Sequence, residues 1–101
     1  MACKVLESLE ARRDLWSALE YLESVDETGK AARDFAAGYK AFKQNVEKFP
    51  EMYPCSTEPR LCACGYRRAR AGKHIVLYKY ESGEVKVAHL FHQAQDYAKL
   101  V

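Results

Sequence analysis

Apolar residues along the first half of the chain recur at a helical step. Ala11, Leu15, Ala18, Leu22 and Val25 form one stripe, widened by Trp16 and Leu19, and they predict an amphipathic helix over about residues 8–25. The opposite face of that stretch is charged. Asp26-Glu27-Thr28-Gly29 then breaks the pattern with turn and cap residues. A second stripe follows as Ala32, Phe35, Tyr39, Phe42, Val46 and Phe49, and it stops at Pro50. Two helices joined by so short a link are expected to lie antiparallel as a helical hairpin. Its aromatic residues are expected in a core, and no cofactor is needed to explain them.

Between Pro50 and Pro59 three prolines break both periodicities, so this stretch reads as a loop. Beyond it the period changes to two. Gly65 to Ala71 alternates polar with small or apolar residues, and Ala71-Gly72-Lys73 fits a tight turn. His74-Ile75-Val76-Leu77-Tyr78-Lys79-Tyr80 is rich in β-branched and aromatic residues and is the clearest strand. Glu81-Ser82-Gly83-Glu84 reads as a hairpin turn, with Val85 to Phe91 as the partner strand. The continuous apolarity of 75–78 predicts a central strand covered on one face by the helix pair. Cys3 to Leu6 is expected to add an N-terminal edge strand, and residues 93–101 to form a short helix or an extended cap. The expected fold class is α+β, a helical hairpin on a small, mostly antiparallel sheet, in one domain over residues 1–101.

Composition narrows the classes. With 49% apolar, 12% aromatic and 30% charged residues, the chain is neither disordered nor fibrous. No apolar run approaches the roughly 18 residues of a membrane span, and Met1-Ala2-Cys3-Lys4 leads straight into a charged amphipathic stretch. A cytoplasmic protein without a membrane partner is therefore expected. Its four cysteines, at 3, 55, 62 and 64, are accordingly expected as free, partly buried thiols rather than bridges or zinc ligands. Glycine-rich phosphate loops, H-E-x-x-H, G-x-S-x-G and paired-cysteine zinc motifs are absent. That removes most nucleotide-binding enzymes and metallohydrolases, and no metal or cofactor is expected.

The net charge of +2 conceals an asymmetry. Residues 1–59 carry 8 basic against 11 acidic side chains, residues 60–101 carry 8 against 3. Arg60, Arg67, Arg68, Arg70 and Lys73 fall close together with no acid between them, a pattern that suits phosphate-rich or acidic partners. Candidate nucleic-acid contacts are Arg60, Arg68, Arg70, Lys73 and Tyr78. On one strand Arg68 and Arg70 would share a face and Arg67 would point to the other. His89 alternates with Val85, Val87 and Phe91 and is the expected core histidine. His92 alternates with Ala88 and Leu90, unless a bulge intervenes, and closes the strand where clefts form.

The order of these segments resembles the RelE/ParE superfamily of bacterial toxins over nearly the whole chain. The residues that carry it are Ala11-Arg-Arg-Asp14-Leu15 at the first helix, Gly65-Tyr66-Arg67, His74 to Tyr78, Val85-Lys-Val87 and the closing His92-Gln-Ala-Gln-Asp96-Tyr97. The resemblance implies an α+β toxin of a type II toxin–antitoxin pair, held inactive by a neighbouring antitoxin whose flexible segment wraps it. RelE-like members cut messenger RNA on the ribosome without a metal, which needs a base, an acid and a cation to hold charge at phosphorus. On that reading Arg67 matches the family's strand arginine and stabilises phosphate charge, His92 exchanges a proton, and Tyr97 stacks on or positions a base. Where RelE has a further arginine after the last strand, this chain has Phe91-His92-Gln93. ParE-like members instead inhibit DNA gyrase without bond-making chemistry. Ribosome-dependent messenger RNA cleavage is expected ahead of gyrase inhibition, with a small basic nucleic-acid-binding module as a further alternative.

Overall fold

Ser8 starts the first long helix, α1 (Leu9–Val25), by accepting a hydrogen bond from the Ala11 N–H at 2.9 Å. Its hydroxyl donates to the Ala88 carbonyl at 2.7 Å, which ties the helix start to the sheet. Asp26 ends α1 and begins α2 (Lys30–Lys48): its carboxylate accepts from Thr28 N–H, Thr28 hydroxyl and Ala31 N–H. Those hydrogen bonds hold the Asp26 carboxyl below its ordinary pKa, that from the Thr28 side chain foremost. The computed structural model describes residues 3–92; the expected terminal helix or cap at 93–101, with Tyr97, lies outside the described residues.

Four strands form one mixed sheet. β1 (Lys4–Glu7) is an edge strand and runs parallel to β4 (Glu84–His92); β4 is antiparallel to β3 (His74–Glu81), and β3 to β2 (Arg67–Ala71). The β3–β4 hairpin turns through Ser82 and Gly83, both with positive φ, which matches the twist of its strands. Gly72 turns β2 into β3 beneath α2. A Cβ at Gly38 of α2 would meet the Gly72 nitrogen at 3.2 Å and the Ala71 Cα at 3.3 Å, so any larger residue would push the turn away from the helix by a few tenths of an ångström.

The helices cover the face of the sheet that carries Ala69, Ala71, Val76, Tyr78, Val85 and Val87. Phe35, Phe42 and Val46 of α2 supply most of the bulk against it, and the Tyr39 hydroxyl donates to the Glu7 carboxylate of β1. Burial, then that contact, pushes the Tyr39 hydroxyl pKa far up. The central strand is buried from His74 to Tyr78 on both faces, more than one helical layer accounts for. The second cover is a short helix absent from the sequence reading, α3 (Pro59–Ala63), whose Leu61 packs with Leu77 and Phe91 on the outer face. Proline at its first position fits a helix start.

Several expectations need correction. Trp16 and Phe49 belong to the apolar stripes by spacing but are 67% and 65% exposed, because the stripes are wider than the surface the sheet offers. Cys55 and Cys62 form a disulfide rather than remaining free thiols, linking the proline-rich loop to α3; Cys3 and Cys64 are free. β4 also contains a register shift: Leu77 pairs with His89 but Tyr78 with Val87, so Ala88 is an extra residue. The shift exchanges the faces of everything after it. Val85, Val87 and Leu90 face the helices, whereas His89 lies outward, stacked on Phe91 at 5.6 Å. The core histidine is His74, 5% exposed, and not His89.

Candidate functional site

Strand alternation distributes the basic residues of β2 as expected. Arg68 and Arg70 point outward beside Leu77 and Ile75 of β3, and Arg67 turns to the helix side. The Arg67 guanidinium donates to the Tyr53 carbonyl at 2.8 Å and to the Glu51 carbonyl at 3.3 Å. It clamps the loop after α2. The neighbouring Tyr78 is fully buried rather than placed at the basic surface, and its hydroxyl donates to the Pro50 carbonyl at 2.9 Å. Burial pushes its pKa up to about 12, so it stays a neutral donor. Phe42, Tyr53 and Tyr78 pack ring against ring around this end, at 5.4 to 6.2 Å.

His92 lies at the opposite end. Arg67 is paired with Tyr78 and His92 with His74, which puts them four residues apart along β3 and on either side of it. At about 3.3 Å per residue and about 4.8 Å per strand, their Cα atoms are roughly 16 Å apart. Arg67 and His92 therefore do not converge on one phosphate. Arg60 lies on α3, exposed, and Lys73 in the β2–β3 turn, also exposed.

What does converge is a cluster around His92 that spacing alone did not single out. The His74 and His92 rings meet edge to face at 5.3 Å, and the His74 ring rests 4.7 Å from Phe35. His74 Nδ1 is the one buried side-chain polar atom without a hydrogen bond among the described residues. Burial, then the charge of His92, lowers the His74 pKa below its ordinary value. Asp14 of α1 reaches the same place and accepts from the Leu90 N–H at 3.1 Å. A cleft of about 440 Å³ opens there. Asp14, half-buried, belongs to the Ala11-Arg-Arg-Asp14-Leu15 stretch that carries the family resemblance, but its approach to His92 and His74 depends on how α1 packs on the sheet. Among the described residues no three His, Cys, Asp or Glu side chains come together to hold a metal ion. No helix among them is long and apolar enough to cross a membrane.

Comparison with known proteins places this geometry. The family model for the ParE toxin of the type II toxin–antitoxin system parDE matches residues 5–97. The chromosomal ParDE toxin–antitoxin system from P. aeruginosa is a structural neighbour with a TM-score of 0.65 and 14% identity, covering 90% of this chain and 96% of that one. The toxin–antitoxin complex RelBE2 from Mycobacterium tuberculosis is another, with a TM-score of 0.52, 23% identity and coverage of 91% and 99%. These likenesses confirm the α+β fold. No curated protein sequence matches at a significant level.

Proposed function

The chain belongs to the ParE toxin family of type II toxin–antitoxin systems, and from that premise we propose that it arrests growth by binding its target, DNA gyrase, without bond-making chemistry. The observation that carries this is the separation of Arg67 from His92, with the Arg67 guanidinium occupied by two loop carbonyls. Ribonucleolytic cleavage needs charge stabilisation and proton transfer at one phosphate. Residues roughly 16 Å apart across a sheet do not supply that. A binding toxin needs only a rigid surface, and the outward Arg68 and Arg70 of β2 offer a basic one. The same surface suits an acidic, amphipathic antitoxin segment, since complementary charge steers such pairing. Both structural neighbours are toxin–antitoxin systems, which supports a cognate antitoxin as partner.

A second reading, ribosome-dependent cleavage of messenger RNA, draws on the pairing of His74 with His92, because two imidazoles can divide the acid and base roles. Induced expression separates the two. The gyrase reading expects supercoiling activity to fail while primer extension finds ribosome-bound message intact, and co-expression of the adjacent antitoxin gene product to restore growth. Message cut at defined positions, with supercoiling normal, would give the role to the second reading.

A further inference from the structure

The disulfide between Cys55 and Cys62 joins the edge of the sheet to the short helix that covers its outer face. Cys55 pairs with Arg67 as an isolated antiparallel bridge on the outer edge of β2. Beside it the Ser56 N–H donates to the Tyr66 carbonyl at 2.9 Å and the Arg68 N–H to the Pro54 carbonyl at 3.0 Å. Cys55 is therefore held by the sheet. Cys62 lies seven residues further on, in α3, so the bridge staples that helix to β2 through Cys55.

What the staple holds is a lid over apolar side chains. α3 has five residues, too few for a helix to stand alone, and its Leu61, 1% exposed, packs with Leu77 and Phe91, with Tyr66 against them. Leu77 pairs with Arg68, so the covered patch adjoins the outward arginines of β2. With the bridge open, only noncovalent contacts keep α3 in place, and the loop regains the entropy that the cross-link withholds. The outer face would then lose its fixed shape where its basic side chains emerge.

The bridge is placed to open and to close. Cys55 and Cys62 are both part-exposed and Pro54, Thr57, Pro59 and Ala63 around them are exposed, so a thiolate can reach the sulfurs. The two Cα atoms stand 5.4 Å apart, within the ~4.4–6.8 Å that a disulfide requires, so closure needs no backbone movement. The free cysteines are poorly placed to compete. Cys64 follows Cys62 by two residues, about 200° around a helix, and Cys3 lies beside β1 at the opposite edge of the sheet.

We propose that Cys55 and Cys62 form a redox latch: bridged, they fix α3 on the outer face and that face engages the target; opened, they free α3 and weaken the engagement. A dithiol reductant opens the latch by exchange. Its thiolate attacks one cysteine sulfur, the S–S bond breaks and the other cysteine leaves as a thiolate. The reductant's second thiolate then displaces the first cysteine, so two electrons and two protons pass to the toxin and the reductant ends as a disulfide. A small-molecule disulfide reverses the sequence. The latch itself stands on the bridge and α3, and only its effect on target binding rests on the gyrase reading.

The test is amide hydrogen exchange on the full chain, kept with oxidised glutathione or treated with dithiothreitol, with thiols counted in each state. Two thiols are expected in the bridged form, Cys3 and Cys64, and four after reduction. Amides of residues 57–64 should exchange about 10-fold or more faster once reduced, while α2 and β3 keep their protection and oxidised glutathione restores the slow rate. The double variant Cys55→Ser, Cys62→Ser should exchange fast in both conditions, and Cys64→Ser should respond as the native chain does. If the double variant does not fold, reduction of the native chain carries the test. In a supercoiling assay without reductant, the double variant should need about 10-fold or more protein than the bridged chain for equal inhibition, the cost of lost preorganisation. If neither form inhibits gyrase, the gyrase reading falls and exchange decides the latch. Four thiols under oxidised glutathione, reduction only in denaturant, unchanged exchange at 57–64, protection lost throughout the chain, a response abolished by Cys64→Ser, or equal gyrase inhibition by both forms would each overturn the proposal.

Discussion

Tyr78 and His74 lie four residues apart on β3, both turned toward the helices and both buried. At the Tyr78 end the phenol hydroxyl reaches Pro50, the neighbouring Arg67 spans Glu51 and Tyr53, and three aromatic rings seal the space. Polar groups there serve the fold: each holds a stretch of proline-bearing loop that has no secondary structure to satisfy its carbonyls. At the His74 end an equally buried ring keeps an orphaned nitrogen, faces a second imidazole and opens on a cleft. The contrast shows how a conspicuous residue type can mislead. An arginine on a basic strand draws attention as a catalytic group and is tied into the framework. A histidine inside an apolar run looks like a core residue and holds the unsatisfied chemistry.

That contrast can be broken from either end. The largest effect is expected at Arg67: replacing it with Met keeps much of the stem and removes both loop contacts. Unfolding in urea should then show a loss of about 1.5–3 kcal/mol, the worth of hydrogen bonds from a charged donor. A change under ~0.5 kcal/mol would return Arg67 to the list of groups free for function.

An intermediate effect is expected at His74. Because its folded pKa lies below its ordinary value of about 6.5, the folded protein holds that proton more weakly than the unfolded chain does. Its contribution to stability is therefore complete above pH 6.5 and is lost as the pH falls below it. The charged and titratable groups around it are Asp14 and Tyr21 from α1, Asp34 from α2, Lys73 from the turn and His92 from β4. Melting temperatures recorded from pH 7.5 down to 5 should fall for the native chain and less steeply for His74→Phe. That variant should also be more stable at pH 7 by about 1–2 kcal/mol, since it removes an orphaned buried polar atom. Parallel pH profiles for the two would show that the His74 end is as well satisfied as the other.

The smallest effect sharpens the comparison at the Tyr78 end. Tyr78→Phe loses the hydroxyl's hydrogen bonding to the loop, that to the Pro50 carbonyl foremost, so a cost near 1 kcal/mol is expected from equilibrium unfolding. Toxicity on induction should survive unchanged, since the ring is wholly internal.

Much of the architecture is legible in linear order. The two apolar stripes, the loop between Pro50 and Pro59, the Gly72 and Ser82-Gly83 turns and the β-rich run from His74 all act over a few residues, so period and turn chemistry suffice to place them. The edge strand at Cys3 to Leu6 was also readable, though not its parallel pairing with β4, which depends on how a distant segment returns. The site was less legible, and the reason is physical. Which face a histidine takes in β4 hangs on one extra residue, Ala88, and a bulge leaves no mark in alternation until its partner strand is known. Whether Arg67 is free depends on carbonyls fourteen and sixteen residues earlier in the chain. The disulfide between Cys55 and Cys62 and the burial of Leu61 likewise depend on a loop folding back over the outer face. Local sequence determined the elements because their hydrogen bonds and apolar spacing are local. The tertiary structure alone decided which polar groups are spent on the fold and which remain available, because satisfaction of a buried donor or acceptor is a property of everything packed around it.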